Sequence, residues 1–258
     1  MRSSRNARGR APLPLSLFLL VSLVLWGHGH ALAQSFPQGA VIIEQRSLPS
    51  VANRALVLWM MNPQRGDPIP NDMPYTCSDQ TRGDVYSGPT RVSLVNPQEG
   101  RIINTIEIHD PQSPDKDSFD LPYAIRPNFY YRVDAKDGTT AGKPTILNYR
   151  DLTGEGSATQ FVLYDEPFCM GLQTALVGYS QRQDRVIQYT VEVDFRSPQK
   201  SWHLESLWID YAFSEEPAGP GHFQFQADYR ARGGALEKFD IAYDRASERF
   251  RGTCTVSK

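Results

Sequence analysis

Apolar and polar residues alternate with a period of two over much of this chain. Phe223, Phe225, Ala227 and Tyr229 alternate with Gln224, Gln226 and Asp228; Ile187, Tyr189, Val191 and Val193 alternate with Gln188, Thr190 and Glu192. Successive side chains of a strand point to opposite faces, so the pattern predicts strands with one face on a core and one in water. Three predicted pairs flank turn-forming sequences. They are Arg91–Val95 with Arg101–Ile108 across NPQEG, Thr174–Ser180 with Arg185–Val193 across QRQD, and Glu237–Tyr243 with Arg249–Thr255 across DRASE. Further strands are expected at Ala40–Gln45, Ala55–Met61, Phe129–Val133, Thr145–Arg150, Thr159–Tyr164 and Leu207–Ala212. No stretch after the N-terminal segment sustains apolar residues at helical spacing between caps. Short strands separated by turns define an all-β, antiparallel class, with a propeller-like meander preferred and a β-sandwich as the alternative.

Two stretches rich in Pro, Asp, Gly and Ser, Asn62–Pro89 and Asp110–Pro127, read as long loops, of the kind that carry function or mobility. Ser197–Ser201 (SPQKS) suits a short linker or a turn between sheet layers. No exact repeat divides the chain, so residues 34–258 are expected to form one domain.

The N-terminus changes the picture of where the protein works. Arg2, Arg5, Arg8 and Arg10 precede an apolar run ending at Trp26 and then Ala31-Leu32-Ala33, the layout of a signal peptide over residues 1–33, with export to a periplasm or the extracellular space expected. The run from Leu15 to Trp26 falls short of the roughly 20 apolar residues of a membrane helix. Loss of these residues removes four Arg and no acid, leaving 23 basic against 29 acidic groups. A mildly acidic chain without basic clusters is a poor partner for nucleic acid. No later stretch is apolar enough for a membrane span.

Chemistry-bearing residues are sparse. Cys77, Cys169 and Cys254 allow at most one internal disulfide, whose pairing spacing does not fix. His109, His203 and His222 form no HExxH or HxH arrangement. Gly178-Tyr-Ser180 begins like a nucleophile elbow but enters a hairpin rather than a helix, so Ser180 reads as a turn residue. Asp165, Glu166, Asp210 and Glu215, with Trp202, Trp208 and Tyr211, are the acids and rings from which a sugar-binding cleft could be built.

One short stretch, Asp151-Leu-Thr-Gly-Glu-Gly-Ser-Ala-Thr159, lies between apolar runs and spaces oxygen-bearing side chains as a cation loop does. With its flanks it resembles, over about 20 residues, a degenerate integrin-type (FG-GAP) calcium loop of β-propeller proteins. Otherwise the chain resembles uncharacterised exported bacterial proteins. The resemblance implies calcium ligands at Asp151, Thr153, Glu155 and Thr159, with Gly156 supplying the reversal, and a propeller-like fold. Thr153 and Thr159 stand where the family has charged or amide ligands, so weak affinity is implied. The expected role is non-enzymatic, recognition of a protein or carbohydrate ligand or a structural function. The competing expectation is a carbohydrate-directed hydrolase using loop carboxylates.

Overall fold

A computed structural model of the chain describes residues 36–66, 85–111, 118–121, 130, 132–133, 140–141, 145–165 and 171–258. The predicted signal peptide, Cys77, Cys169, Glu166 and most of the two long loops lie outside the described residues. The architecture is all-β, in several sheets. The first half supplies β1 (Ala40–Ser47), β2 (Ala55–Met61), β3 (Gln64–Gly66), β4 (Val85–Asn96), β5 (Arg101–Ile108) and β6 (Ser118–Leu121). These form a six-stranded sheet, the long β4 pairing with β2 and β5 along one stretch and with β3 and β6 along the other. β7 (Arg132–Val133) and β8 (Thr140–Ala141) pair only with each other.

A second sheet combines β9 (Gln160–Asp165), β10 (Gln173–Ser180) and β11 (Arg185–Gln188) with the two-residue β14 (Ile209–Asp210). The third runs β13 (Ser201–Ser206), β12 (Val191–Arg196), β17 (Arg249–Ser257), β16 (Leu236–Asp244), β15 (His222–Asp228). Every described ladder is antiparallel except β12 with β17, which is parallel, so the expectation of antiparallel pairing throughout fails at that one join. Pairing strands more than fifty residues apart leaves no local mark in sequence.

Two apolar patterns explain how the sheets stack. β2 is a continuous apolar run because both its faces are covered: Leu56, Leu58 and Met60 enter the main core, while Ala55, Val57 and Trp59 pack with Phe36 and Val95 in a smaller one. β9 and β10 are likewise buried along nearly their whole length, as strands covered on both faces are. The main core is continuous across all three sheets, joining Leu58 and Val92 to Phe161 and Leu176 and on to Phe223 and Phe250.

Polar clips join the layers. Asn104 of β5 donates to the Val186 carbonyl (2.8 Å) and accepts from its N–H (2.9 Å), imitating a strand neighbour. Arg54 makes a two-pronged contact with Asp184 at 2.9 and 2.6 Å.

The three predicted hairpins are present, and so are strands at 40–47, 55–61, 160–165 and 222–228. Other expectations need correction: of Leu207–Ala212 only Ile209–Asp210 is strand, and the two stretches expected as loops contain β3, the start of β4 and β6. Arg185–Val193 is two strands: the chain leaves the second sheet after Gln188, and Val191 opens β12 in the third. The alternation persists because Tyr189, buried at the crossing, packs against Tyr243 and Phe250. Thr145–Arg150 is not a strand: it bends at Ile146 and meets β9 only through the single antiparallel bridge of Arg150 with Gln160. Glu44 of β1 accepts the N–H groups of Ile146 (2.7 Å) and Leu147 (3.2 Å), and Arg46 donates to the Leu147 carbonyl (3.0 Å). Side chains there supply what a ladder otherwise would. Ser197–Ser201 is neither linker nor layer crossing. It is the turn joining β12 to β13 within one sheet, closed by the Ser197 hydroxyl, which accepts the Lys200 N–H at 3.1 Å.

Candidate functional site

The loop at 151–159 folds as a turn in which both charged groups have donors. Asp151 accepts the N–H of Glu155 (3.1 Å) and of Gly156 (2.7 Å), and Glu155 accepts from Arg245 Nε at 2.7 Å. The Thr159 hydroxyl accepts from the Gln160 amide (2.8 Å), whose carbonyl accepts the Leu152 N–H (2.9 Å). Thr153 is buried, and its hydroxyl has no partner among the described residues. Gly154 (φ 71°) presses on Pro220, where a Cβ would come within 2.4 Å of the proline carbonyl carbon. Gly156 is also at positive φ, as the sequence required of the reversal. Gln160, outside the motif, closes the loop from within. Among the described residues no group of three His, Cys, Asp or Glu side chains is placed to hold a metal ion.

The other predicted residues scatter. Ser180 ends β10, where its hydroxyl donates to Glu248 and accepts the Gln183 N–H. His203 and His222 hydrogen bond to cross-strand aspartates, Asp194 at 2.9 Å and Asp240 at 2.8 Å. Asp165 is buried at the end of β9, and Glu215 is exposed. Cys254 is a buried thiol, pushed up to about 12 by its apolar surroundings and then by the nearby charge of Glu237.

Asp210 and Trp208 do come together, in a cleft of about 590 Å³ between the second and third sheets. Its floor follows from strand register. Trp202, Phe195, Cys254, Phe239 and Phe225 lie opposite one another across the five strands of the third sheet. Trp202 stacks on Phe195 (ring centroids 4.8 Å, 13° apart) and Phe225 on Phe239 (4.4 Å, 6°). Phe195 and Phe239 from this row line the cleft, with Leu204 and Leu207 at its side. His109 and Asp110, following β5, reach another wall.

Two carboxylates face this apolar floor. Asp210, in β14 beside Gln173, accepts a hydrogen bond from Tyr229 Oη at 2.7 Å. Glu237 is half-buried in β16, and loss of hydration, followed by the charge of Asp210, raises its carboxyl above the ordinary glutamate value. Tyr211, directly after Asp210, holds a positive φ of 58°, an uncommon backbone state for an aromatic residue. No Lys, Arg or His among the described residues forms an ion pair with either acid. Other carboxylates are answered: Glu192 by Arg249 and Arg251, Asp184 by Arg54, Glu248 by Arg182.

Glu237 had a readable signal. In LEKFDIAY it falls in phase with Phe239, Ile241 and Tyr243, a charged group on the strand's inward face. Phe195 and Leu204 had none, since their place in a cleft depends on a second sheet crossing above them.

Compared with models of known protein families, with curated proteins and with solved structures, the chain matches none.

Proposed function

We propose that this is an exported recognition protein that holds its ligand, without converting it, in the cleft between the second and third sheets. The carrying observation is that cleft: an aromatic and aliphatic floor with Asp110, Glu205, Asp210 and Glu237 among its lining, the composition of a ligand site rather than of a packing flaw. Support for export comes from the N-terminal basic and apolar pattern ending at Ala33. A structural role alone gives no reason for a desolvated Glu237 carboxyl in this cleft.

A second reading has its own observation. Asp210 and Glu237 both line the cleft, and the raised Glu237 carboxyl is the kind of group that serves as a general acid in glycoside hydrolysis. The two separate cleanly in one experiment. The purified exported protein is incubated with a panel of soluble glycans, with reducing-end release and equilibrium binding measured side by side. Binding without turnover is the expected result. Turnover that disappears in both Asp210→Asn and Glu237→Gln would replace recognition by hydrolysis.

A further inference from the structure

Open sheets end in edges, and two of the edges here are blunted. β1 carries exposed Val41 and Ile42 but is broken by a bulge between Ile42 and Glu44. β11 is met by Asn104, which takes both the N–H and the carbonyl of Val186. β13 has neither device. Among the described residues it is an end strand of the third sheet, pairs with β12 over six consecutive residues without a shift, and contains no Lys or Pro. Its exposed residues include Trp202 (36%) and Leu204 (38%). A regular, unblunted and partly apolar edge is a template for another extended chain.

The charges along the strand select its occupant. Side chains alternate, so Trp202, Leu204 and Ser206 share the face of Phe195 and Val193, and His203 and Glu205 share the face of Asp194 and Glu192. A second copy lying antiparallel across a two-fold axis keeps the faces matched only where that axis passes through a residue, because a one-residue slip turns every side chain over. An axis at Glu205 sets two carboxylates opposite each other, and an axis at His203 sets that ring opposite its own copy. An axis at Leu204 sets Leu204 against Leu204 and each His203 against the partner's Glu205. Opposite charges directly across a ladder are favourable and like charges are not, so this register is preferred. It also extends contacts already present: Asp194 holds His203 at 2.9 Å and Arg249 holds Glu205 at 3.1 Å, so acid and base alternate across the join.

We propose that β13 is a homodimer edge: two copies of this chain pair antiparallel along it across a two-fold axis through Leu204. Two five-stranded sheets then become one continuous sheet. Because Leu204 also lines the cleft, both clefts lie on the same face of that sheet, on either side of the axis. The inference stands apart from the recognition reading, since pairing along β13 makes no demand on what the cleft holds.

A six-residue edge buries less than a standard interface of about 1,600 Å², so the dimer is weak and is sought by sedimentation equilibrium of the purified exported protein at about 0.1–1 mM. The expected result is a mass that approaches twice the monomer's as concentration rises. Leu204→Lys places two like charges on the axis and should weaken association about tenfold or more. Register is read by cysteine placement. Leu204→Cys sets two thiols across the axis with Cα atoms about 4.5–5.5 Å apart, within disulfide reach. Air oxidation with copper phenanthroline should then give a 204–204 disulfide, identified by peptide mass mapping so that the native thiols do not confuse it. Self-linkage in His203→Cys and in Glu205→Cys should be about tenfold less under the same conditions. Melting midpoints of the variants confirm that they are folded. A parent that stays monomeric over this range, which would leave the edge to a different chain, overturns the inference. So does a dimer that Leu204→Lys leaves intact, or self-linkage at 203 or 205 equal to that at 204.

Discussion

At the scale of single residues the loop at 151–159 separates geometry from ligand chemistry. Its glycines are legible because a positive φ is a local demand, and Gly154 and Gly156 both adopt one. Its carboxylates are not legible, because the group that pairs with Glu155 is Arg245, ninety residues away. Asp151 is accounted for by the two N–H groups it accepts. Thr153 is the exception: its hydroxyl is buried without a partner, which costs about 1–3 kcal/mol of lost hydration. Thr153→Val, nearly the same shape, is therefore expected to stabilise the fold by about 1 kcal/mol, read as a higher denaturation midpoint with an unchanged slope. A lower midpoint would give the hydroxyl a partner in solution, and a calcium-dependent rise in the parent that Thr153→Val abolishes would make that partner a cation.

At the scale of elements, a buried carboxylate in a turn can tie two hairpins together. Glu248, at the β16–β17 turn, is 8% exposed and sits at φ 53°. It accepts from Ser180 and Gln183 at the β10–β11 turn and from Arg182 Nε at 3.1 Å, tying two hairpins of different sheets. Burial pushes its carboxyl up, but the hydrogen bonds from Gln183 and Ser180 and the charge of Arg182 outweigh that and hold it below the ordinary value. A folded value below the unfolded one gives stability that is present above the unfolded value and lost as pH falls through the folded one. Glu248→Gln is expected to cost about 1–3 kcal/mol at neutral pH, with parent and variant converging in acid; a constant gap across that range would show that the charge is not what holds the turns. The hairpins were legible because each is a local alternation around turn residues. The break at Tyr189-Thr190 was not, since alternation continues through a change of sheet. β13 was hidden for another reason: a six-residue edge strand exposed along most of its length imposes little apolar bias.

At the scale of the molecule, what matters is the cleft between the second and third sheets and which residues line it. Most described acids are matched by Arg or His, some across strands and others within turns and loops. Asp210 and Glu237, like Glu44 and Asp151, are half-buried acids without an ion pair among the described residues, and desolvation of the Glu237 charge lowers stability. Residues that cost stability where packing would favour an apolar side chain mark sites kept for binding or catalysis. The consequence can be measured without knowing the ligand. With its folded value raised, Glu237 favours the folded state below the unfolded glutamate value, and that advantage is lost as pH rises through the folded one. Glu237→Gln removes the charge at every pH, so the variant should melt above the parent near neutrality. The difference should shrink to nothing as pH drops below the ordinary glutamate range. Asp210→Asn, by lifting the repulsion from its neighbour, should shift that crossover to lower pH. A Glu237→Gln variant that melts at or below the parent near neutrality would mean the carboxylate has a cationic partner from the remaining chain, and the cleft would then already be occupied from within.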